Sequence, residues 1–124
     1  MNGAPLGVKI GHSPDPDDAF MFYALTSEAI DTGGRDYEHV LVDIATLNSE
    51  AKEGTYEVSA VSIGSFPEIS DKYALMNCGA SMGEGYGPMV ISRSPMSLDE
   101  VKKVVIAIPG KSTCLLYTSP SPRD

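Results

Sequence analysis

Basic side chains, cysteines and long apolar runs are all scarce in this sequence of 124 residues. Lysine and arginine together number 9 against 17 aspartates and glutamates, which gives a formal charge of −8. Such an acidic chain repels phosphate backbones, which argues against nucleic acid as a partner. Two cysteines do not make a disulfide framework, and no apolar run approaches the roughly 20 residues of a membrane-spanning helix. No secretory signal is visible either, so we expect a cytoplasmic protein without a membrane partner.

The last eleven residues, 114–124, read CLLYTSPSPRD and match the conceptual translation of a transposase sequencing adaptor. A Ser/Pro-rich tail is the alternative that composition alone allows. The specificity of the match favours the adaptor, so we expect the native sequence to end at Thr113. The native cysteine count then falls to one, Cys78. This residue has no histidine close in sequence and only Lys72 as a basic neighbour, which predicts a buried, inert thiol.

Strand-like and helix-like patterns alternate from Leu6 to Thr113. Asp15 suits an N-cap and Pro16 a first helical position, so we predict a helix over 17–30 with Phe20, Tyr23 and Ala24 on one face. Two shorter helices are predicted over 47–53, capped by Thr46, and at 97–100, with a capping-box spacing. The predicted strands cover 8–12, 37–44, 58–63, 73–76, 89–92 and 104–108. Such alternation is typical of an α/β protein with a mostly parallel sheet.

A parallel sheet binds ligands beyond the carboxyl ends of its strands. Three segments of this chain follow predicted strands in that way: residues 12–18, 62–65 and 110–113. The helix amides after Asp15 would attract an anionic group. Hydroxyls for polar ligand groups would come from Ser13, Ser62, Ser65, Ser112 and Thr113.

Residues 109–113, PGKST, look like the end of a phosphate-binding loop. The full pattern needs a glycine five residues before Gly110, and Val105 stands there, so a nucleoside triphosphate site is rejected. Binding of an anion by the backbone amides of this loop remains open. The glycine-rich stretch 79–87 does not follow the dinucleotide spacing either, and we interpret it as a flexible loop or crossover.

The acidic cluster of Asp15, Asp17 and Asp18 lacks the glycine and spacing of a calcium loop, so we interpret it as helix capping. The histidines and the native cysteine do not stand at zinc-ligand spacing, and we expect no metal. His12 lies at a strand end beside this cluster, and we favour a structural role with hydrogen bonds in the loop over a catalytic one. His39, inside a strand, is expected on the solvent face.

The stretch SPDPDDAFMFYAL at 13–25 resembles the menaquinone-biosynthesis enzymes of the futalosine pathway, most closely the 1,4-dihydroxy-6-naphthoate synthase branch. The stretches 43–48 (DIATLN), 58–63 (VSAVSI), 71–93 and 108–113 (IPGKST) agree with the family in order and spacing. The resemblance implies an α/β, periplasmic-binding-protein type II-like two-lobed fold, of which this chain is an N-terminal fragment. Residues 1–92 would form most of lobe 1, 93–113 the start of lobe 2, and 114–124 the non-native tail.

The same resemblance implies a carbon–carbon lyase that converts cyclic dehypoxanthinylfutalosine, a small molecule, to 1,4-dihydroxy-6-naphthoate without a cofactor. Ala60, Val61 and Ser62 match the family's substrate-binding stretch, and Thr113 matches the first threonine of its P-G-x-x-T-T loop. Ser13 is the fifth candidate substrate-binding residue, because it directly follows the predicted strand 8–12. The family's proposed catalytic histidine falls beyond residue 113, so we expect no catalytic residue and no activity in this chain.

The motif SPDPDD departs from the better-known synthases, which carry a Cys or similar residue followed by Asn-Asp. Two alternatives therefore stay open. One is chorismate dehydratase of the same pathway, and the other is a non-enzymatic solute-binding protein of an ABC transporter.

Overall fold

The computed structural model describes residues 7–85 and 89–113. Its strands are β1 (Gly7–His12), β2 (Asp36–Leu41) and β3 (Val58–Ser59), and its α-helices are α1 (Pro16–Thr26), α2 (Ile44–Glu53) and α3 (Leu98–Val101). A 3₁₀ helix covers Ile63–Glu68. Within these two ranges, no helix combines the length and the apolar character needed to cross a membrane.

The three strands form one parallel sheet in the order β2-β1-β3. The central strand β1 pairs with β2 over its whole length, from Gly7 opposite Asp36 to His12 opposite Leu41. Its pairing with β3 is short and joins Ile10 to Val58. The predicted mixed α/β architecture with a parallel sheet is confirmed. Because the strands are parallel, their carboxyl ends lie at one edge of the sheet.

The two long helices cover opposite faces of this sheet, since successive side chains of a strand point to opposite faces. On one face, the ring of Phe22 from α1 stacks on His12, with 4.4 Å between ring centroids. On the other face α2 lies so close to β1 that a Cβ atom at Gly11 would stand 2.9 Å from Leu47. The fully buried apolar residues Ile10, Leu47, Ala51 and Ile69 form the core.

Helix α1 is shorter than predicted, and it presents a different face to the sheet. It ends at Thr26 and not at residue 30, because Ser27 donates its hydroxyl to the Tyr23 carbonyl and Glu28 adopts a positive φ of 54°. Phe20 is 87% exposed and Tyr23 is 64% exposed, so their predicted packing is wrong. Phe22, one residue from Tyr23, makes the contact with the sheet.

Helix α2 begins at Ile44, three residues before the predicted start, because the cap is Asp43 and not Thr46. The Asp43 carboxylate accepts hydrogen bonds from the backbone N–H groups of Ala45 (3.0 Å) and Thr46 (3.1 Å). The Thr46 hydroxyl donates to the same carboxylate at 2.6 Å. These bonds, the Thr46 hydroxyl first, lower the pKa of Asp43.

Several apolar runs that read as strands are not strands in the structure. The strand predicted over 58–63 is only two residues long, and the one over 37–44 ends at Leu41. Residues 73–76, 89–92 and 104–108 form no strand, and Val105 is fully exposed. A strand requires a neighbour for its backbone hydrogen bonds, and no described segment pairs with these runs.

Helix α3 confirms the capping-box prediction. The Glu100 N–H donates to the Ser97 hydroxyl at 3.3 Å, and the Ser97 N–H donates to the Glu100 carboxylate at 2.8 Å. The division of the chain into parts of two lobes stays a prediction. Residues 114–124, with the proposed adaptor, lie outside the described residues, as do 86–88 of the glycine-rich stretch.

Candidate functional site

The first segment of the candidate site follows β1 directly. Ser13 is 5% exposed, and its N–H donates to the Asp18 carboxylate at 2.7 Å. Its hydroxyl accepts a hydrogen bond from the Asp15 N–H at 3.0 Å. Asp15 occupies the predicted N-cap position, but its side chain makes no capping bond. The turn before α1 is therefore fixed by Ser13 and Asp18, which corrects the capping role expected of Asp15.

The second segment follows β3, where a buried asparagine of α2 holds Ser62. Asn48, 3% exposed, donates its amide Nδ2 to the Ser62 hydroxyl at 3.1 Å. The Ser62 N–H donates to Asn48 Oδ1 at 2.8 Å. The Ala60 N–H donates to the Gly11 carbonyl at 2.8 Å, and Val61 between them is half-buried. Ser62 is thus positioned by two side-chain bonds, and Asn48 is a site residue that the sequence analysis missed.

The third segment is the loop 110–113, which reaches the other two through α2 and the 3₁₀ helix. Gly110 has φ of 130°, and a Cβ there would stand 2.9 Å from the Ala45 Cβ, so only glycine permits this approach. The buried Ser65 hydroxyl donates to the Ser112 carbonyl at 3.2 Å. Thr113 is also buried, and its hydroxyl donates to the Gly110 carbonyl at 3.0 Å. The three predicted segments therefore converge, but only the first two follow strands of the sheet, because residues 104–108 form no strand.

Two cavities open between these segments. The larger one, of about 440 Å³, lies between the starts of α1 and α2 and the loop after residue 107; it is lined by Ser13, Pro14, Asp15, Asp43, Ile44, Ala45, Ile108, Pro109 and Gly110. The smaller one, of about 180 Å³, is lined by Ala45, Asn48, Ser49, Lys52, Gly110, Lys111 and Ser112. Together they offer apolar walls, carboxylates and two lysines. This combination suits a small, partly apolar molecule with hydroxyl and acidic groups.

Of the five residues predicted to bind substrate, only Ser13 lines either cavity. Ser62 does not line a cavity itself, but its hydrogen-bond partner Asn48 lines the smaller one. Thr113 is one residue from the lining Ser112 and bonds back to its own turn. Ala60 and Val61 form the chain between β3 and Ser62. The sequence analysis also missed Asp43, which lines the larger cavity. Its position directly before an apolar helix start could have identified it as a helix cap at the site.

Beside this site lies a pair of hydrogen-bonded histidines. His12 is 3% exposed, and its Nδ1 stands 3.1 Å from the Ser13 carbonyl oxygen. Its Nε2 stands 3.0 Å from Nδ1 of His39. His12 makes the loop hydrogen bond that was expected of it, and its structural role stays a prediction. The prediction of a solvent-facing His39 is wrong, because α1 covers that face of the sheet; burial, and then the neighbouring His12, lower the pKa of His39.

The remaining candidate residues have other surroundings. Hydrogen bonding by the Ser81 hydroxyl lowers the pKa of Asp17, and the Asp18 carboxylate binds the Ser13 N–H. No group of three or more histidine, cysteine or acidic side chains within 7–85 and 89–113 is arranged to hold a metal ion. Cys78 is exposed, which corrects its predicted burial, and it lies in a stretch without regular secondary structure.

Known proteins match this chain over almost all of the described residues. The family model for menaquinone biosynthesis matches residues 8–117. The 1,4-dihydroxy-6-naphthoate synthase of Thermus thermophilus is 34% identical over 110 residues, which are 89% of this chain and 39% of the relative. The synthase of Streptomyces coelicolor is 30% identical over 106 residues, 86% of this chain and 36% of the relative. The chain thus spans less than two fifths of the length of these relatives.

A solved structure also matches. The crystal structure of a protein from Archaeoglobus fulgidus superimposes with a TM-score of 0.66 at 47% identity. The match covers 74% of this chain and 34% of that protein.

Proposed function

Because the chain belongs to the menaquinone biosynthesis family, we propose that it forms one part of the substrate site of a carbon–carbon lyase. The reaction is the conversion of cyclic dehypoxanthinylfutalosine to 1,4-dihydroxy-6-naphthoate. The observation that carries this proposal is the agreement with two synthases of that name, at 34% and 30% identity, over nearly all of the chain. The activity of the whole lyase is part of the proposal, since the chain spans only a share of each relative.

The proposed architecture is a two-lobed, periplasmic-binding-protein type II-like fold, with the second lobe beginning near residue 93. Three observations support it: the parallel order β2-β1-β3, the helices on both faces, and the exposed apolar run 104–108. A run of this kind supplies a strand once a neighbour pairs with it. The proposed location is the cytoplasm, which suits the exposed free thiol of Cys78.

In this proposal the described residues position the substrate and do not cleave it. A cavity of about 440 Å³ has the size of a small-molecule site. The Ser13 hydroxyl lines this cavity and is held by the Asp15 N–H, so it is preorganised for a ligand hydroxyl. Ser62 supports the site by holding the lining residue Asn48. The side chain of Lys111 borders the smaller cavity and attracts a carboxylate, whereas Lys52 at the same cavity is paired with Glu68. The catalytic histidine is proposed to lie beyond residue 113.

Calorimetric titration of the full 124-residue chain tests this function. We expect saturable binding of cyclic dehypoxanthinylfutalosine, no turnover, and weaker or no binding of chorismate. Ser13→Ala should weaken binding roughly tenfold, the value of one net hydrogen bond, because Ser13 lines the larger cavity. Ser70→Ala is the matched control, because its exposed hydroxyl bonds only to the Pro67 carbonyl.

A preference for chorismate would contradict the assignment and favour the dehydratase. Binding of neither intermediate would contradict a substrate site of this pathway. Product formation by this chain would refute the placement of the catalytic group beyond residue 113.

A further inference from the structure

The two histidines of this chain form a directed hydrogen-bond chain that ends on the wall of the larger cavity. A carbonyl oxygen can only accept, so His12 Nδ1 carries the hydrogen that it shares with the Ser13 carbonyl. In a neutral His12 the other nitrogen, Nε2, is then an acceptor. His39 must therefore donate its Nδ1–H to that atom. One tautomer of each ring is fixed by this arrangement.

The far end of this hydrogen-bond chain, His39 Nε2, is an acceptor without a partner among the described residues. His39 Nε2 is a buried atom, and no group among the described residues hydrogen-bonds to it. With both rings neutral this nitrogen carries only a lone pair. Leaving a lone pair unbonded costs less than burying an unpartnered N–H, so the fixed tautomers are the state that this packing accommodates.

Among the described residues, no carboxylate is paired with either imidazole to stabilise a positive charge. From α1 the Phe22 ring stacks on His12 at 4.4 Å and meets His39 edge-on at 6.1 Å. The buried carboxylate of α1, Asp18, is engaged by the Ser13 N–H. On β2 the residues that share the face of His39 are Tyr37 and Leu41. No ion pair within the described residues includes either imidazole.

We propose that the His12–His39 pair is a proton-sensitive latch on the cavity wall, closed when both rings are neutral and released when His39 takes up a proton. A proton can enter only at His39 Nε2, which then becomes a buried donor without an acceptor. The charged ring must turn toward water to be solvated, and this turn breaks its bond to His12. His12 then loses one of the two bonds that orient it, so its hold on the Ser13 carbonyl loosens.

The segment released in this way lines the cavity. Ser13, Pro14 and Asp15 form one wall of the 440 Å³ space, and Ser13 also binds Asp18 at the start of α1. Mild acid is therefore expected to loosen the cavity wall while leaving α2, on the opposite face of the sheet, in place. The latch does not depend on which substrate the cavity takes, so its failure and the failure of the proposed lyase are separate results.

The test is a pH titration of the full chain by nuclear magnetic resonance, without ligand. The ring nitrogens report tautomer and protonation directly, and only two histidines need assignment. Near pH 7 we expect Nδ1 protonated and Nε2 bare in both rings. As the pH falls, the Ser13 and Asp15 amides should shift with the same midpoint as His39. The Leu47 and Ala51 amides of α2 should stay unchanged.

His39→Asn provides the matched variant. Its amide can donate to His12 Nε2 and can also turn to accept from a protonated His12, so it satisfies His12 in both states. The acid shift of the Ser13 amide should therefore shrink severalfold in His39→Asn. An undiminished shift in this variant would overturn the latch. A His39 ring that carries its hydrogen on Nε2 at neutral pH, or that titrates without any change at Ser13, would overturn it as well.

Discussion

Replacing Gly11 by alanine should destabilise this fold, because the centre of β1 has no room for a side chain. The added Cβ would stand 2.7 Å from Tyr56 Cδ2 and 2.9 Å from Leu47 Cδ2, where carbon atoms normally approach to about 3.5–4.0 Å. Neither neighbour can yield easily. The Tyr56 hydroxyl bonds to the Glu50 carboxylate at 2.5 Å, and Leu47 is fully buried.

The expected cost follows from this overlap. Relieving it means moving α2 away from β1 or turning a packed side chain, and overpacking of this kind costs about 1 to 3 kcal/mol. Gly7→Ala is the matched control, because it is the same change in the same strand and a Cβ there meets nothing within 4 Å. That substitution should be neutral or stabilise the fold by about 0.4 to 1 kcal/mol, because alanine reduces the conformational entropy of the unfolded chain.

The assay is urea unfolding of the two variants beside the unchanged chain, followed by circular dichroism. Gly11→Ala should lower the free energy of unfolding and Gly7→Ala should not. Equal free energies of unfolding for the two variants would refute the close packing of α2 on β1. The placement of Asn48 and Ser62 at the site depends on that packing.

Three further results are expected. Asn48→Leu should lower the free energy of unfolding by about 1 to 3 kcal/mol, measured in urea, because it leaves the Ser62 N–H and hydroxyl without partners. Ser65→Ala should speed hydrogen exchange in the loop 110–113, because the bond to the Ser112 carbonyl is lost. Burial lowers the pKa of His39 below the ordinary 6.5, so the unfolded chain binds the proton first and the free energy of unfolding should fall as the pH drops below about 6.5.

Each of these results has a control variant or an outcome that would contradict it. Ser49→Ala, at an exposed position next to Asn48, should change the free energy of unfolding by less than about 0.5 kcal/mol. Exchange in the loop that is unchanged by Ser65→Ala would show that the bond to Ser112 does not hold it. His39→Asn should flatten the pH dependence below about pH 6.5. The same slope in that variant would assign the effect to other groups.

The sequence predicted what depends on local or periodic signals. The parallel sheet and the capping box at Ser97 both follow from patterns within one or two elements. The α2 cap shows where such signals compete. Asp43 and Thr46 both suit an N-cap, and Ile44 between them reads as the end of a strand because it is β-branched. Asp43 is the cap because its carboxylate accepts hydrogen bonds from two backbone N–H groups of the helix.

The missed features depend on contacts between distant segments. The apolar run 104–108 has the composition of a strand, but strand formation requires a partner, and the described residues supply none. The alternation of the strand sequence places His39 on the side predicted to face solvent. In the structure, Phe22 of α1 packs against that side and covers His39. Asn48 is an ordinary helix residue in sequence. Its role appears only when the turn after β3 brings Ser62 against it.

The most direct test of the account is a map of backbone amide shifts when cyclic dehypoxanthinylfutalosine is added to the chain. The predicted result is a set of shifts at the carboxyl ends of the strands, at Ser13, Ser62 and Ser112, with the amino ends at Gly7 and Asp36 unchanged. Shifts confined to the amino ends, or no shifts at saturating concentration, would contradict a substrate site between these segments.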